Sequence, residues 1–340
     1  MSNPLKRARI MIDSEVTGPS GNSDASTPTM THHKELWFDD GSVVLNAEQI
    51  LFRVHRTTLS THSTVFHDMF RIPQPPGQDA IEGCTVVKLP DSSGEVEFLL
   101  KALYDPFFFD HSVTLLMFIE ILPGMLRLST KYNILQLRRK VIAIYLERFP
   151  STLGAFDSRS SGDQVLYPWY IMSLVALFRE TNALECLPCV FYFCSCLPMS
   201  DLLHGCDEVV LSWEDKSACL MGREELLRAQ EEFSHSFIFK LVSPPNCANP
   251  SVCTRRARRN LYIFHHDQSP LSSVFALKLF TDWKMLDGIC PACLSKAQLD
   301  HQAGRKVIWD RLPKFFGLES WDDIEKVKQN WADNHSQQGN

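Results

Sequence analysis

Catalytic signatures are what this sequence has least of. It contains no phosphate loop of the Gly-x4-Gly-Lys-Ser/Thr type, no Gly-x-Ser-x-Gly elbow and no His-Glu-x-x-His. Nothing therefore signals a phosphate cradle, a strained nucleophile or a helical metal-ligand pair, and an enzyme would have to assemble its groups from dispersed positions. Positive charge is not in excess either. A net charge of -6 gives no general reason to expect nucleic acid or an anionic membrane as partner. The longest uncharged runs, 164–178 and 186–200, are too short to cross a bilayer, and prolines interrupt both. No apolar signal segment opens the chain, and no internal repeat suggests a propeller or solenoid.

What is present fits a folded protein of 340 residues, long enough for two domains, with 44% hydrophobic and 22% charged residues. Cysteine is abundant, at eleven. Without a signal segment these read as reduced thiols or metal ligands, not as a disulfide framework, and the expectation is a soluble intracellular protein.

Residues 1–34 are rich in Ser, Thr, Asn, Gly and Pro and are expected to be a disordered tail. Within them Lys6-Arg7-Ala8-Arg9 reads either as a nuclear import signal or as an ordinary solvated cluster. Val43-Val44-Leu45 and Ile50-Leu51-Phe52-Arg53-Val54 then predict two strands, because Ile50, Phe52 and Val54 alternate against polar Arg53 and His55. Asn46–Gln49 suits the hairpin loop between them. Leu59, Phe66, Met69 and Phe70 predict two short helices broken near Ser63, which is suited to cap the second. A proline-bearing loop follows, then a strand over 85–89. Val96, Leu99, Leu100 and Leu103 mark a helix face, and Phe107-Phe108-Phe109 is an aromatic loop that must pack somewhere. Further helical faces run through Leu115–Leu122, through Met125–Tyr132 after a break at Pro123-Gly124, and through Ile134–Ile144.

This hairpin with paired short helices resembles the BTB (POZ) domain. A strand ends in His55 and is followed at the family's intervals by Leu59, Ser63, Phe66 and Met69-Phe70. Leu128-Ser129-Thr130-Lys131-Tyr132 followed by Leu137-Arg138 resembles its last two helices. The resemblance implies an α+β fold, a small sheet capped by helices, over 35–150. His55 would have a structural hydrogen-bonding role.

A polar linker is expected over 151–165, with Ser158, Ser160, Ser161 and Gly162. A mostly helical C-terminal domain would occupy 166–334, and 335–340 would be disordered. Pro168 suits a first helical turn, followed by Ile171, Leu174, Val175 and Phe178 on one side. Another helical stretch covers 222–241, ended by Pro244-Pro245. Near the end, Val307, Leu312, Phe315 and Phe316 predict a helix, a Pro313-marked turn and more helix folding back on the domain.

Two cysteine pairs, Cys247-x5-Cys253 and Cys290-Pro291-Ala292-Cys293, have the makings of a structural Zn²⁺ site of four thiolates. Against it stand the unusual x5 spacing and the general abundance of cysteine, which leave ordinary thiols as the alternative. A redox role for Cys290-Pro291-Ala292-Cys293 finds no βαβ pattern before it. Cys186, Cys189, Cys194 and Cys196 lie in apolar company and read as buried thiols. Arg255-Arg256-Ala257-Arg258-Arg259, with Tyr262 behind, is either a phosphate-contacting element or a charged helix face. His265-His266 is an alternative ligand pair or plain surface.

The second half also looks like the continuation of an expanded group of fungal BTB proteins. The marks are Cys247 and Cys253 with Arg255-Arg256, the Cys290/Cys293 pair, and Arg305–Trp309 leading to Leu312-Pro313 and Phe315–Leu318. Neither the kelch repeats nor the two-Cys, two-His fingers of some BTB proteins follow. The resemblance implies a non-enzymatic protein-interaction module, a scaffold or adaptor. A homodimer is one implied assembly, although the polar stretch before Leu36 lacks the apolar elements many members exchange. Docking to a cullin scaffold is another; only Ala80-Ile81-Glu82 comes near the hydrophobic-x-Glu element it requires. A nuclear regulator contacting nucleic acid through Arg255–Arg259 is the remaining alternative.

Overall fold

Alternating apolar residues build the sheet from which the rest of the chain is laid out. The computed structural model describes residues 30–72, 80–109, 114–159, 167–267 and 274–336. Most of the expected tail, Lys6–Arg9 included, lies outside the described residues, as do most of the proline loop (73–79), Ser160, Ser161, Gly162 and the last four residues. So do the side chains of Tyr262, His265 and His266.

Five strands, β1 (Thr31–Trp37), β2 (Val43–Ala47), β3 (Ile50–Val54), β4 (Ala80–Ile81) and β5 (Cys84–Leu89), pair in the order β1-β3-β2-β5-β4. The β2–β3 hairpin is antiparallel, while β2–β5 and β1–β3 are parallel. β1 starts inside the stretch expected as tail. Its Leu36 is buried, and its main chain pairs with β3. The hairpin loop is also shorter than expected: Asn46 and Ala47 pair with Leu51 and Ile50, leaving a two-residue turn at Glu48 and Gln49. Both turn residues have positive φ, 47° and 70°, the twist that tight hairpins favour. Glu48 is of use there, because its carboxylate accepts from Ser93 N (3.0 Å) and Ser93 Oγ (3.1 Å) at the start of the next long helix.

Helices α1 (Arg56–His62) and α2 (Thr64–Arg71) follow β3. Ser63 between them accepts from Phe66 N at 3.0 Å and donates to Tyr132 O at 2.5 Å. One hydroxyl thus caps a helix and ties the pair to a distant one. α3 (Ser93–Tyr104), α4 (Leu122–Lys131) and α5 (Leu135–Arg148) complete the cap, with a π-turn at Met117–Ile121 running directly into α4. Pro123 does not break that helix; it occupies the first turn, where its missing N–H costs nothing. Phe108 and Phe109 pack against the core, whereas Phe107 stays exposed. His55 has the expected role: Nδ1 meets the Tyr104 hydroxyl at 3.0 Å and Nε2 meets Asp40 at 3.1 Å.

The helical half comprises α6 (Leu153–Ser158), α7 (Pro168–Glu180), α8 (Leu187–Ser195), α9 (Met199–His204), α10 (Trp213–Ala229), α11 (Ser236–Phe239), α12 (Pro250–Asp267), α13 (Pro291–Phe315) and α14 (Trp321–Ser336). A π-turn over Gln230–Ser234 continues α10. α8 is buried nearly all round, as its apolar composition demands. α7 buries a broader surface than the single face expected, adding Tyr170, Met172 and Leu177 to the interior. α13 runs through Pro313, and the turn falls at Gly317, φ 68°.

The expected linker contains α6, whose Phe156 is buried. One apolar core runs from Leu36 through Phe52, Phe66 and Tyr145 to Phe178, Phe191 and Phe316. Polar ties cross the same boundary: Tyr170 OH donates to Phe118 O (2.5 Å), and Arg138 Nη2 donates to Thr181 O (2.8 Å). The helical half therefore covers α4 and α5 and shares their interior. A second, smaller core holds Phe237, Ile238, Leu241 and Leu286 together with Cys253 and Cys293.

Candidate metal centre

Three separate pieces of chain bring Cys247, Cys253, Cys290 and Cys293 together in that second core. Pro244-Pro245 forces a turn closed by Cys247 N donating to Pro244 O at 3.0 Å. Asn249 starts α12: its Oδ1 accepts from Val252 N at 3.2 Å, and its carbonyl from Cys253 N at 3.0 Å. Cys253 thereby sits in the first helical turn. Cys290 is the extended residue before α13, Pro291 opens that helix, and Cys293 follows within the same turn. The two-residue gap puts both sulfurs on one side.

The sulfur of Cys247 lies 3.8 Å from Cys253, 3.7 Å from Cys290 and 3.4 Å from Cys293. All four Sγ atoms lie within 4.8 Å of one another. Tetrahedral coordination with Zn–S bonds of about 2.3 Å requires S···S separations of about 3.8 Å, so the spacing suits a tetrathiolate site. Cys253 and Cys293 are buried, Cys247 and Cys290 half-buried, and all eleven cysteines are free thiols.

Donors surround the sulfurs. Cys290 N donates to Cys253 Sγ at 3.4 Å. Amide groups of Cys293 and Ala248 hydrogen-bond the Cys290 sulfur and pull its pKa down to about 6. Burial pushes Cys293 the other way, to about 12, and its neighbours Cys247 and Cys290 add to that rise. The Ser243 hydroxyl is buried with no oxygen or nitrogen partner, and it faces Cys293, whose ionised form it favours. Sequence reasoning missed Ser243, since no spacing rule ties an isolated serine to cysteines downstream.

The arginine run lies on α12. Arg255, Arg256, Arg258 and Arg259 are exposed, and Ala257 is buried against the small core. Arg256 reaches across to the carbonyl of Gly288, in the turn before Cys290. That glycine has φ 88°, and a Cβ there would meet the Arg256 guanidinium. One of the four arginines is thus a brace for the cysteine turn. In the other cysteine-rich stretch Cys186, Cys189 and Cys194 are buried, whereas Cys196 is exposed, a departure from the expected burial.

Elsewhere, Ala80-Ile81-Glu82 is held in place. Ala80 and Ile81 pair with β5, and the Glu82 carboxylate receives Arg53 Nη1 at 2.6 Å. Among the described residues no helix is long and apolar enough to cross a membrane.

A small mixed sheet capped by short helices, with a helical extension packed on it, defines an α+β fold. Residues 34–146 match the family model of the BTB/POZ domain, and this N-terminal part of the chain is a BTB/POZ domain. Such domains are protein–protein interaction modules. Comparison with curated proteins and with solved structures gave no match.

Proposed function

We propose that this protein is a non-enzymatic scaffold or adaptor that docks partner proteins through the open exterior of its BTB/POZ domain. The observation that carries the reading is which surfaces the chain itself leaves free. The helical half packs on α4 and α5, whereas Thr57, Thr61, His62, His67, Asp68 and Arg71 of α1 and α2 are exposed, so docking falls to that surface. Among the described strands β1 lies at an edge of the sheet; such edges are templates for pairing with another chain.

The test is affinity purification of the full chain followed by mass spectrometry, with a Thr57→Glu/Thr61→Arg variant and, as control, Lys306→Glu on α13. Expected is a partner set kept by the control and lost by the α1 variant. Partners indifferent to the α1 charges would overturn the reading. Light scattering on the same protein decides the homodimer. Glu82 being held by Arg53 does not favour cullin docking, and the use of Arg256 as a brace does not favour nucleic acid.

A further inference from the structure

We propose that Cys247, Cys253, Cys290 and Cys293 bind one Zn²⁺ as a closed tetrathiolate centre that stabilises the small second core and has no catalytic role. The inference is independent of how the BTB/POZ domain finds its partners. Three sulfurs at 3.4–3.8 Å from the fourth, that of Cys247, suit a tetrahedral ion. Four thiols crowded this closely repel one another as they ionise; a borderline-soft dication removes that repulsion, and sulfur-only ligation selects zinc over magnesium or calcium. The surroundings suit thiolates as well. Cys290 N donates to Cys253 Sγ, and the buried Ser243 hydroxyl faces Cys293 with no oxygen or nitrogen partner. Such outer donors orient and tune a metal's ligands.

The need for a clip follows from the size of that core. Of its eight buried residues four are the small Cys253, Ala257, Cys293 and Ala297, which leaves Phe237, Ile238, Leu241 and Leu286 as its large buried side chains, with Phe280 and Trp283 only partly buried against them. That is little to order a turn, a helix start and a second helix start drawn from 237–297, and small modules of this kind are stabilised by metal. Four protein ligands leave no open position for substrate, which makes the role structural. α13 then transmits the fixation: Cys290 just before it and Cys293 in its first turn are ligands, and its far end reaches the main core at Leu312, with Phe316 just beyond.

The test uses the full chain purified without chelator. Elemental analysis is expected to give one zinc per chain, released when the thiols are modified. Replacement by Co²⁺ is expected to give sulfur-to-metal charge transfer in the near ultraviolet and the visible bands of tetrahedral cobalt. Cys290→Ser is expected to lose most of the zinc, while Cys196→Ser, at an exposed cysteine outside the cluster, keeps it. Hydrogen exchange after zinc removal should rise over 237–297 and stay unchanged over β2 and β3. A metal-free chain with these four thiols reactive, a disulfide among them, iron in place of zinc, or full zinc in Cys290→Ser would each overturn the proposal. The cobalt spectrum of the unaltered chain keeps the test decisive if the serine variant does not fold.

Discussion

Arg305 on α13 grips Asp157 on α6 with both terminal guanidinium nitrogens, one at 3.0 Å, across 148 residues of sequence. Arg305 is 3% exposed, and its Nε also donates to Leu277 O at 2.9 Å. Replacing Asp157 by Ala leaves a buried guanidinium without its counter-charge, a change that costs about 3 kcal/mol. The expected outcome in urea unfolding is a lower midpoint with α6 and α13 lost together. An unshifted midpoint would show the pair to be dispensable.

Ser63→Ala removes a helix cap and a buried tie to Tyr132 O in one step. A lost cap and an orphaned carbonyl each cost about 1 kcal/mol, so a loss of about 2 kcal/mol is expected. Ser63→Thr keeps the hydroxyl and should recover part of it. Equal losses in both variants would assign the effect to volume instead of hydrogen bonding.

Two glycines mark close approaches that no side chain can share. A Cβ on Gly304 would lie 2.4 Å from the main chain of Phe233, where α13 crosses the π-turn. One on Gly222 would lie 2.1 Å from the ring of Phe316, which stacks on Phe191. Alanine is expected to cost about 3 kcal/mol at each site by overpacking. The ring at Gly222 can rotate away more readily than backbone can at Gly304, so Gly304→Ala should show the larger drop in Tm.

His235 and His301 stand edge to face, 5.0 Å apart, among Phe275, Phe280 and Trp283. His301 Nε2 accepts from Phe280 N at 3.0 Å, and its Nδ1–H donates to Ser234 O at 2.6 Å, an arrangement that requires the neutral ring. Burial lowers the pKa of His235 to about 3 and also depresses that of His301, with His301, Arg305 and Lys278 opposing a charge on His235. Below the ordinary histidine pKa of about 6.5 the unfolded chain takes up protons that the folded chain refuses. Their stabilising contribution is therefore full above that pH and falls as pH drops below about 6.5, for His235 down toward about 3, by at most about 1.4 kcal/mol per unit for each histidine. Urea midpoints between pH 7 and 5 measure it. A slope unchanged by His235→Leu would remove His235 as its source.

β2, β3 and β5 were legible as short apolar, β-branched runs, and the β3–α1–α2 segment because period two gives way to helical spacing beside a capping serine. β1 was not legible. Thr31-His32-His33-Lys34-Glu35 is polar and exposed along most of its length, and only pairing with β3 makes it a strand. The tight turn at Glu48-Gln49 was hidden for a similar reason: neither residue is a usual left-handed former, and the carboxylate bond to Ser93 that suits Glu48 to the place comes from a helix 45 residues away.

Local pattern, then, was sufficient for three of the five strands, β2, β3 and β5, and for four cysteines of the right type, because backbone periodicity and thiol chemistry depend on near neighbours. Only the folded chain brought Cys247 and Cys290 within 3.7 Å across 43 residues. It also formed α6 and buried its Phe156 in the main core where a polar stretch read as a linker. Proximity between distant segments is decided by how whole faces pack and exclude water, and no short window of sequence holds both faces.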